Sequence, residues 1–223
     1  MNVKKNNLLS VTALSKAYQG KILFEGVSVS LQPGTSLALV APSGTGKSTL
    51  LSIMGLLLQP SEGHVEIHGL RVDTLSDKVL SRLRRETIGF IFQHTQLIGS
   101  LRVKENVMVP ARLGSRAPHL AERADMLLNS FQLEDRADYY PHQLSVGQKR
   151  RVAAARAFIL NPSIIIADEP TNDLDAENAS LVVDALFNHV ENKGILVFAT
   201  HDESLARRAD TVIDLTRLSQ SRL

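Results

Sequence analysis

The stretch SLALVAPSGTGKSTL, residues 36–50, decides how the chain is read. An apolar run, Leu37 to Val40, enters a loop of small residues and leaves it in a helical pattern that starts near Lys47. Small residues let successive backbone N–H groups turn inward, and a helix N-terminus adds the positive end of its dipole. The pattern G-x-x-x-x-G-K-[ST] uses this arrangement to cradle phosphates, with the lysine on the β- and γ-phosphates and the hydroxyl on Mg²⁺. Lys47 and Ser48 stand at those two positions, Gly46 at the second glycine and Ala41 at the first. Alanine enters a left-handed conformation less cheaply than glycine, yet it is small enough for the loop to keep its shape. The bland alternative is a Gly/Ser turn with a solvated lysine; the strand before it and the helix after it argue for the phosphate loop.

Two further stretches fit such a site. Residues 163–169 read SIIIADE. A run apolar at every position suits a parallel strand covered on both faces, and ligands of open α/β sheets sit at the carboxyl ends of such strands. Asp168 is then placed to hold Mg²⁺ and Glu169 to face an attacking water. Residues 144–151 read LSVGQKRR. Ser145 and Gln148 match the S-x-x-Q capping box. A capped N-terminus is equally an anion-binding end, so the two readings do not compete. The run Lys149, Arg150 and Arg151 reads as a solvated charged face.

Composition narrows the remaining classes. The chain has 223 residues, 43% hydrophobic and 22% charged, which is ordinary globular composition and excludes wholesale disorder. Its formal charge of +2 gives no independent reason to expect nucleic acid as a direct partner. With no cysteine, disulfides, thiolate catalysis and cysteine-ligated metal centres are excluded. The N-terminal stretch shows no secretory signal pattern. The most apolar segment, LLSIMGLLL at 50–58, is far below the ~20 residues that span a bilayer. Any membrane role is therefore expected to pass through a partner.

Short apolar runs alternating with helical patterns predict an α/β fold. Strands are expected near 8–13, 22–31, 36–40, 64–68, 87–91, 163–167, 194–199 and 210–214. Helices are expected near 47–58, 77–85, 102–113, 119–130, 147–160, 177–192 and 203–208. Residues 1–35 read as an antiparallel β layer, and residues 100–160 as a helical insertion into an α/β core, all within one unit spanning 1–223.

In that order, these residues resemble the ATP-binding-cassette (ABC) ATPase family. Ala41, Pro42, Ser43, Gly44, Thr45, Gly46, Lys47 and Ser48 are similar to the Walker A loop, continued by Thr49. Ile164 to Pro170 resembles Walker B with its catalytic glutamate, Asn172 to Asp175 the D-loop, and Leu144 to Gln148 the signature motif. Tyr18 stands where the family stacks an aromatic on adenine, Gln93 where its Q-loop glutamine touches Mg²⁺, and His201 where its switch histidine follows a strand. Val146 replaces the first signature glycine; its N–H is kept, but its branched side chain restricts the backbone. The stretch at 84–110 is similar to the lipoprotein-releasing and macrolide-efflux group.

The resemblance implies a P-loop parallel-sheet core and hydrolysis of ATP with Mg²⁺. Lys47 and the loop would neutralise the phosphates, Ser48, Gln93 and Asp168 hold the metal, Glu169 polarise water, and His201 orient that water and hold the γ-phosphate. Ser145, Gly147 and Gln148 would act on ATP held by a second copy in a head-to-tail dimer. The implied partner is an integral membrane permease, with the chain peripheral at the cytoplasmic face of the membrane. Two other readings use the same residues: a regulatory scaffold of the cell-division type, and a soluble ATPase of DNA repair or translation. The latter usually carries tandem cassettes, a coiled coil or basic extensions, none of which is visible here.

Overall fold

The computed structural model describes residues 8–112 and 119–216. Its centre is a five-stranded parallel sheet in the order β6 (Ile88–Ile91), β7 (Ile164–Asp168), β8 (Ile195–Ala199), β3 (Thr35–Val40), β9 (Thr211–Asp214). Every residue of β8 and the first four of β7 are buried, which is why both read as unbroken apolar runs. Ser36 and Asp210 bracket the start of β3: the Ser36 N–H and hydroxyl both donate to the carboxylate, at 2.8 and 2.6 Å, and the Asp210 N–H donates back to Ser36 Oγ at 3.0 Å.

A second, antiparallel sheet runs β2 (Lys21–Leu31), β1 (Leu9–Tyr18), β4 (Glu62–Ile67), β5 (Leu70–Arg71). It is wider than the layer expected from residues 1–35. Strand β1 uses both edges, pairing Leu9 with Leu31 on one side and with Ile67 on the other. The period-2 pattern shows that a segment is extended but not which distant strand completes the ladder.

The parallel sheet is covered on both faces. Helix α1 (Lys47–Met54) and the antiparallel sheet close one face around Leu14, Phe24, Leu37, Leu50, Met54 and Val197. The other face packs against α5 (Val146–Phe158) and α6 (Ala176–Glu191) through Val152, Ala155, Val182, Leu186 and Phe198. Helix α2 (Asp77–Thr87) precedes β6, and α7 (Glu203–Ala206) precedes β9. Between β6 and β7 the described residues form α3 (Val103–Arg112), α4 (Leu120–Ser130) and α5 with short 3-10 turns, and no strand.

Helix α1 stops at Met54, short of the expected residue 58. Gly55 caps it, and a Cβ there would collide with the Phe90 ring, so only glycine fits where the helix end meets β6. The expected solvated run on α5 is also corrected: Arg150 and Arg151 are buried. Arg151 donates to the Phe131 and Gln132 carbonyls, at 2.5 and 3.1 Å, at the end of α4, and Arg150 reaches Asp173. Burial pushes the Arg151 guanidinium below its ordinary pKa.

Candidate functional site: a phosphate cradle beside two carboxylates

The loop after β3 is shaped by two left-handed glycines, Gly44 at φ 81° and Gly46 at φ 100°. At Gly46 a Cβ would lie 2.7 Å from Leu23 Cγ and 3.0 Å from Phe24 Cδ1, so glycine is required by contact as well as by conformation. Helix α1 begins there with no side-chain cap, which leaves its first N–H groups to a ligand or water. Ala41 does not occupy the left-handed region, so the missing first glycine costs the loop nothing. The Lys47 ammonium is folded into the loop, donating to the carbonyls of Ala41 at 2.6 Å and Pro42 at 3.2 Å. Thr45 Oγ1 donates to the Pro42 carbonyl at 2.7 Å and tightens the same turn.

A cavity of 260 Å³ opens on this loop. Ser43, Gly44, Gly46, Lys47, Ser48 and Thr49 line one side, Gln93, Asp168 and Glu169 another, and Leu23 closes it. Residues from β2, α1, the loop after β6 and the end of β7 thus meet at the carboxyl ends of parallel strands. Ser48, Gln93 and Asp168, the residues expected to hold the metal, offer one hydroxyl, one amide oxygen and one carboxylate, with the Glu169 carboxylate beside them. Among the described residues no group of three or more His, Cys, Asp or Glu side chains forms a metal cage. Such a sparse oxygen set fits Mg²⁺, which is typically held by one or two carboxylates together with substrate phosphates.

Glu169 sits in the left-handed region at φ 49°, a conformation that costs of order 1–3 kcal/mol for a non-glycine residue. Its N–H donates to the Ala199 carbonyl at 3.0 Å, which pins the turn to the end of β8. The carboxylate is 12% exposed and lies 2.8 Å from Nδ1 of His201, whose own side chain is 71% exposed. His201 stands beside a neighbouring cleft that it shares with Ala41, Pro42 and Thr200. Asp202 caps α7 behind it, and hydrogen bonds first from the Ser204 hydroxyl and then from the backbone hold its carboxyl below the usual range.

The remaining sequence-predicted residues lie outside the cavity. Tyr18 ends β1, 51% exposed, with the Lys16 ammonium 5.1 Å from its ring centroid. Ser145 and Gln148 form the capping box of α5: the Ser145 N–H donates to Gln148 Oε1 at 2.9 Å, and the Gln148 N–H donates to Ser145 Oγ at 3.2 Å. Ser145 and Val146 are exposed and Gly147 is half-buried. Sequence reasoning missed Leu23, an unremarkable strand residue whose role follows only from where Gly46 packs. It also missed Arg156, which is driven below its ordinary pKa by burial and braces the loop after Gln93 through the Thr95 and Gln96 carbonyls at 2.7 and 2.9 Å.

Comparison with known proteins extends this picture. A family profile described as ABC transporter matches residues 24–172. The lipoprotein-releasing system ATP-binding protein LolD of Zymomonas mobilis is 38% identical over 216 residues, which cover 94% of this chain and 93% of that protein. The macrolide export ATP-binding/permease protein MacB 1 of Yersinia pestis is 39% identical over 93% of this chain but only 33% of its own length. Among solved structures, a dimeric bacterial ABC transporter cassette matches with TM-score 0.86 and 35% identity, covering 93% of this chain and 94% of that one. A dimeric post-hydrolysis state of an ATP-binding cassette, bound to ADP and phosphate, matches equally well. The chain belongs to the ABC transporter family, as an ATP-binding and ATP-hydrolysing member.

Proposed function

We propose that the chain is the ATPase subunit of a transporter of the lipoprotein-releasing type, working as a head-to-tail pair that powers a separate integral membrane permease. The observation that carries this is the nearly end-to-end likeness to LolD, a protein named for that system. Within each site Lys47 and the loop N–H groups bind and orient the phosphates, and Ser48, Gln93 and Asp168 hold Mg²⁺. Mg²⁺ held by those residues would supply positive charge against the charge that develops on the phosphates. Glu169 takes up the proton of the attacking water, and His201 orients that carboxylate. Ser145, Gly147 and Gln148 present the N-terminus of α5 to nucleotide on the second copy, and Tyr18 carries the adenine.

Among the described residues no helix is long and apolar enough to cross a membrane, so attachment to the cytoplasmic face falls to the permease. A groove of 440 Å³ between α2, β6 and α5 supports that attachment. Its floor is apolar, with Leu57, Phe90, Phe92, Pro110 and Leu160, and Arg84, Arg85 and Arg156 line it too, with no carboxylate among the lining residues. That surface suits an amphipathic segment of the permease carrying acidic side chains.

The test is affinity purification of the tagged chain from detergent-solubilised membranes of its host. A multi-span membrane protein is expected to co-purify and, once reconstituted in vesicles, to change the ATPase rate. The double variant Arg84→Glu/Arg85→Glu should lose that protein while binding ATP as before. An ATPase rate indifferent to every membrane fraction would contradict the reading.

A further inference from the structure

Arg150 is 6% exposed, on the first turns of α5, and its Nη2 donates to Asp173 Oδ2 at 3.0 Å. Its Nε and Nη1 are buried without a hydrogen-bond partner among the described residues. Asp173, 57% exposed, thus meets a desolvated guanidinium, and removing the carboxylate leaves that buried charge uncompensated. The link therefore ties α5 firmly to the loop after β7. A second contact lies beside it: a Cβ built on Gly147 would sit 3.4 Å from Leu174 Cδ2, so the start of α5 and this loop touch.

The loop continues directly to the hydrolytic carboxylate. Asn172 Nδ2 donates to the same Asp173 Oδ2 at 3.0 Å, and the Asn172 N–H donates to the Glu169 carbonyl at 3.2 Å. Both ends of the segment are left-handed at non-glycine residues, Glu169 at φ 49° and Asp173 at φ 60°. Backbone held in this way persists only where its surroundings over-determine it. Arg150 supplies that constraint at the Asp173 end, as the Ala199 carbonyl does at the Glu169 end.

We propose that Arg150 is a positioning residue for hydrolysis, its ion pair with Asp173 coupling the helix turn that carries Ser145 and Gly147 to the backbone that holds Glu169. The two half-sites of one chain, the turn it offers to its partner's nucleotide and the carboxylate it uses on its own, then move as one body. This rests on the reading of Glu169 and of the shared site given above. Neither Arg150 nor Asp173 lines the cavity that Lys47, Ser48 and Glu169 line.

The experiment is a double-mutant cycle on the full chain with Arg150→Met, Asp173→Asn and the pair, alongside Glu169→Gln. Arg150→Met removes the buried charge along with its need for a partner, so it keeps the fold even where Asp173→Asn, which leaves the guanidinium unpaired, does not. Each single variant should lower kcat roughly three- to tenfold, the scale at which coupled neighbours act. ATP affinity, measured by titration, should stay within about twofold of wild type. The double variant should lose no more than the worse single, and hydrogen exchange across residues 169–174 should speed up. A purely structural pair would lower Tm and leave kcat per folded molecule unchanged; that result, or losses that simply multiply in the double variant, would overturn the proposal. Wild-type turnover in Glu169→Gln would instead remove the base assignment beneath it. An inactive Glu169→Gln beside fully active Arg150→Met and Asp173→Asn would overturn the positioning role alone.

Discussion

Glu169 combines a strained backbone, a half-enclosed carboxylate and a histidine at hydrogen-bond distance. A general base must reach the proton it removes, and Glu169 is our proposed base. Glu169→Gln keeps the shape and hydrogen-bonding capacity but cannot accept the proton. It is expected to bind ATP normally and to turn over at least about 10²-fold more slowly, the scale of losing a positioned base. A phosphate-release assay beside a binding titration checks both halves. The Tyr18 ring is 51% exposed with the Lys16 ammonium 5.1 Å from its centroid, and we propose that it stacks on the adenine. Stacking on an aromatic is worth about 1–3 kcal/mol in nucleic-acid complexes. Tyr18→Ala should therefore weaken ATP affinity several-fold or more while Tyr18→Phe is mild; equal affinities in a titration would exclude Tyr18 from the site. Lys47, Asp168 and Glu169 were legible because their residue types sit at fixed offsets from a strand end. The contact between Leu23 and Gly46 was not, because it joins two segments that nothing local relates.

At the scale of elements, helix ends and one half-buried histidine contribute to the response to acid. His189 lies on α6 against Phe158 and the backbone near Gly194, and burial lowers its pKa from the ordinary 6.5. The unfolded chain then binds a proton that the folded chain resists, so stability is full above about pH 6.5 and declines as pH falls toward the lowered folded value. Asp175 caps α6, and the Asn178 backbone N–H first, then its side-chain amide, lowers its pKa from 3.8. Its contribution is present above the unfolded pKa and is lost as pH falls through the lowered value. Thermal melts are expected to show Tm falling in two windows, one beginning near pH 6.5 and one below about pH 4. A His189→Phe variant should flatten the first window and leave the second; an unchanged slope between pH 5 and 7 would exonerate His189. The cap of α5 was readable as S-x-x-Q at 145–148, whereas Asp175 was read only as part of the D-loop and its cap on α6 came from the structure. The need for glycine at the end of α1 was not readable, because the Phe90 ring that excludes a Cβ at position 55 comes from another strand.

For the whole molecule, the separation of Ser145 and Gly147 from the 260 Å³ cavity matters most. If they complete a site only on a second copy, lesions can be sorted between sites. A mixed dimer of one Lys47→Ala chain and one Ser145→Arg chain holds one doubly damaged site and one intact site. It is expected to keep part of the wild-type ATPase activity while both homodimers are inactive. Sites built within single chains would leave the mixed dimer as inactive as its parents. Val146→Gly should leave ATP binding to the single chain unchanged. It should raise the dimer fraction in size-exclusion chromatography with ATP in a Glu169→Gln background, because it relaxes the backbone at the start of α5.

The sequence by itself determined the parallel core, the phosphate loop, the capped start of α5 and the helical stretch between β6 and β7. Each is written within about a dozen residues, through apolar periodicity, small residues at a tight turn, or a polar residue at a helix start. Tertiary structure alone decided the rest. It drew β4 and β5 into the antiparallel layer, buried Arg150 and Arg151 in a run that reads as solvated, set Glu169 in the left-handed region against His201, and joined Arg150 to Asp173. The physical reason is that burial and pairing belong to surfaces, and which surfaces meet depends on contacts between segments far apart in the chain.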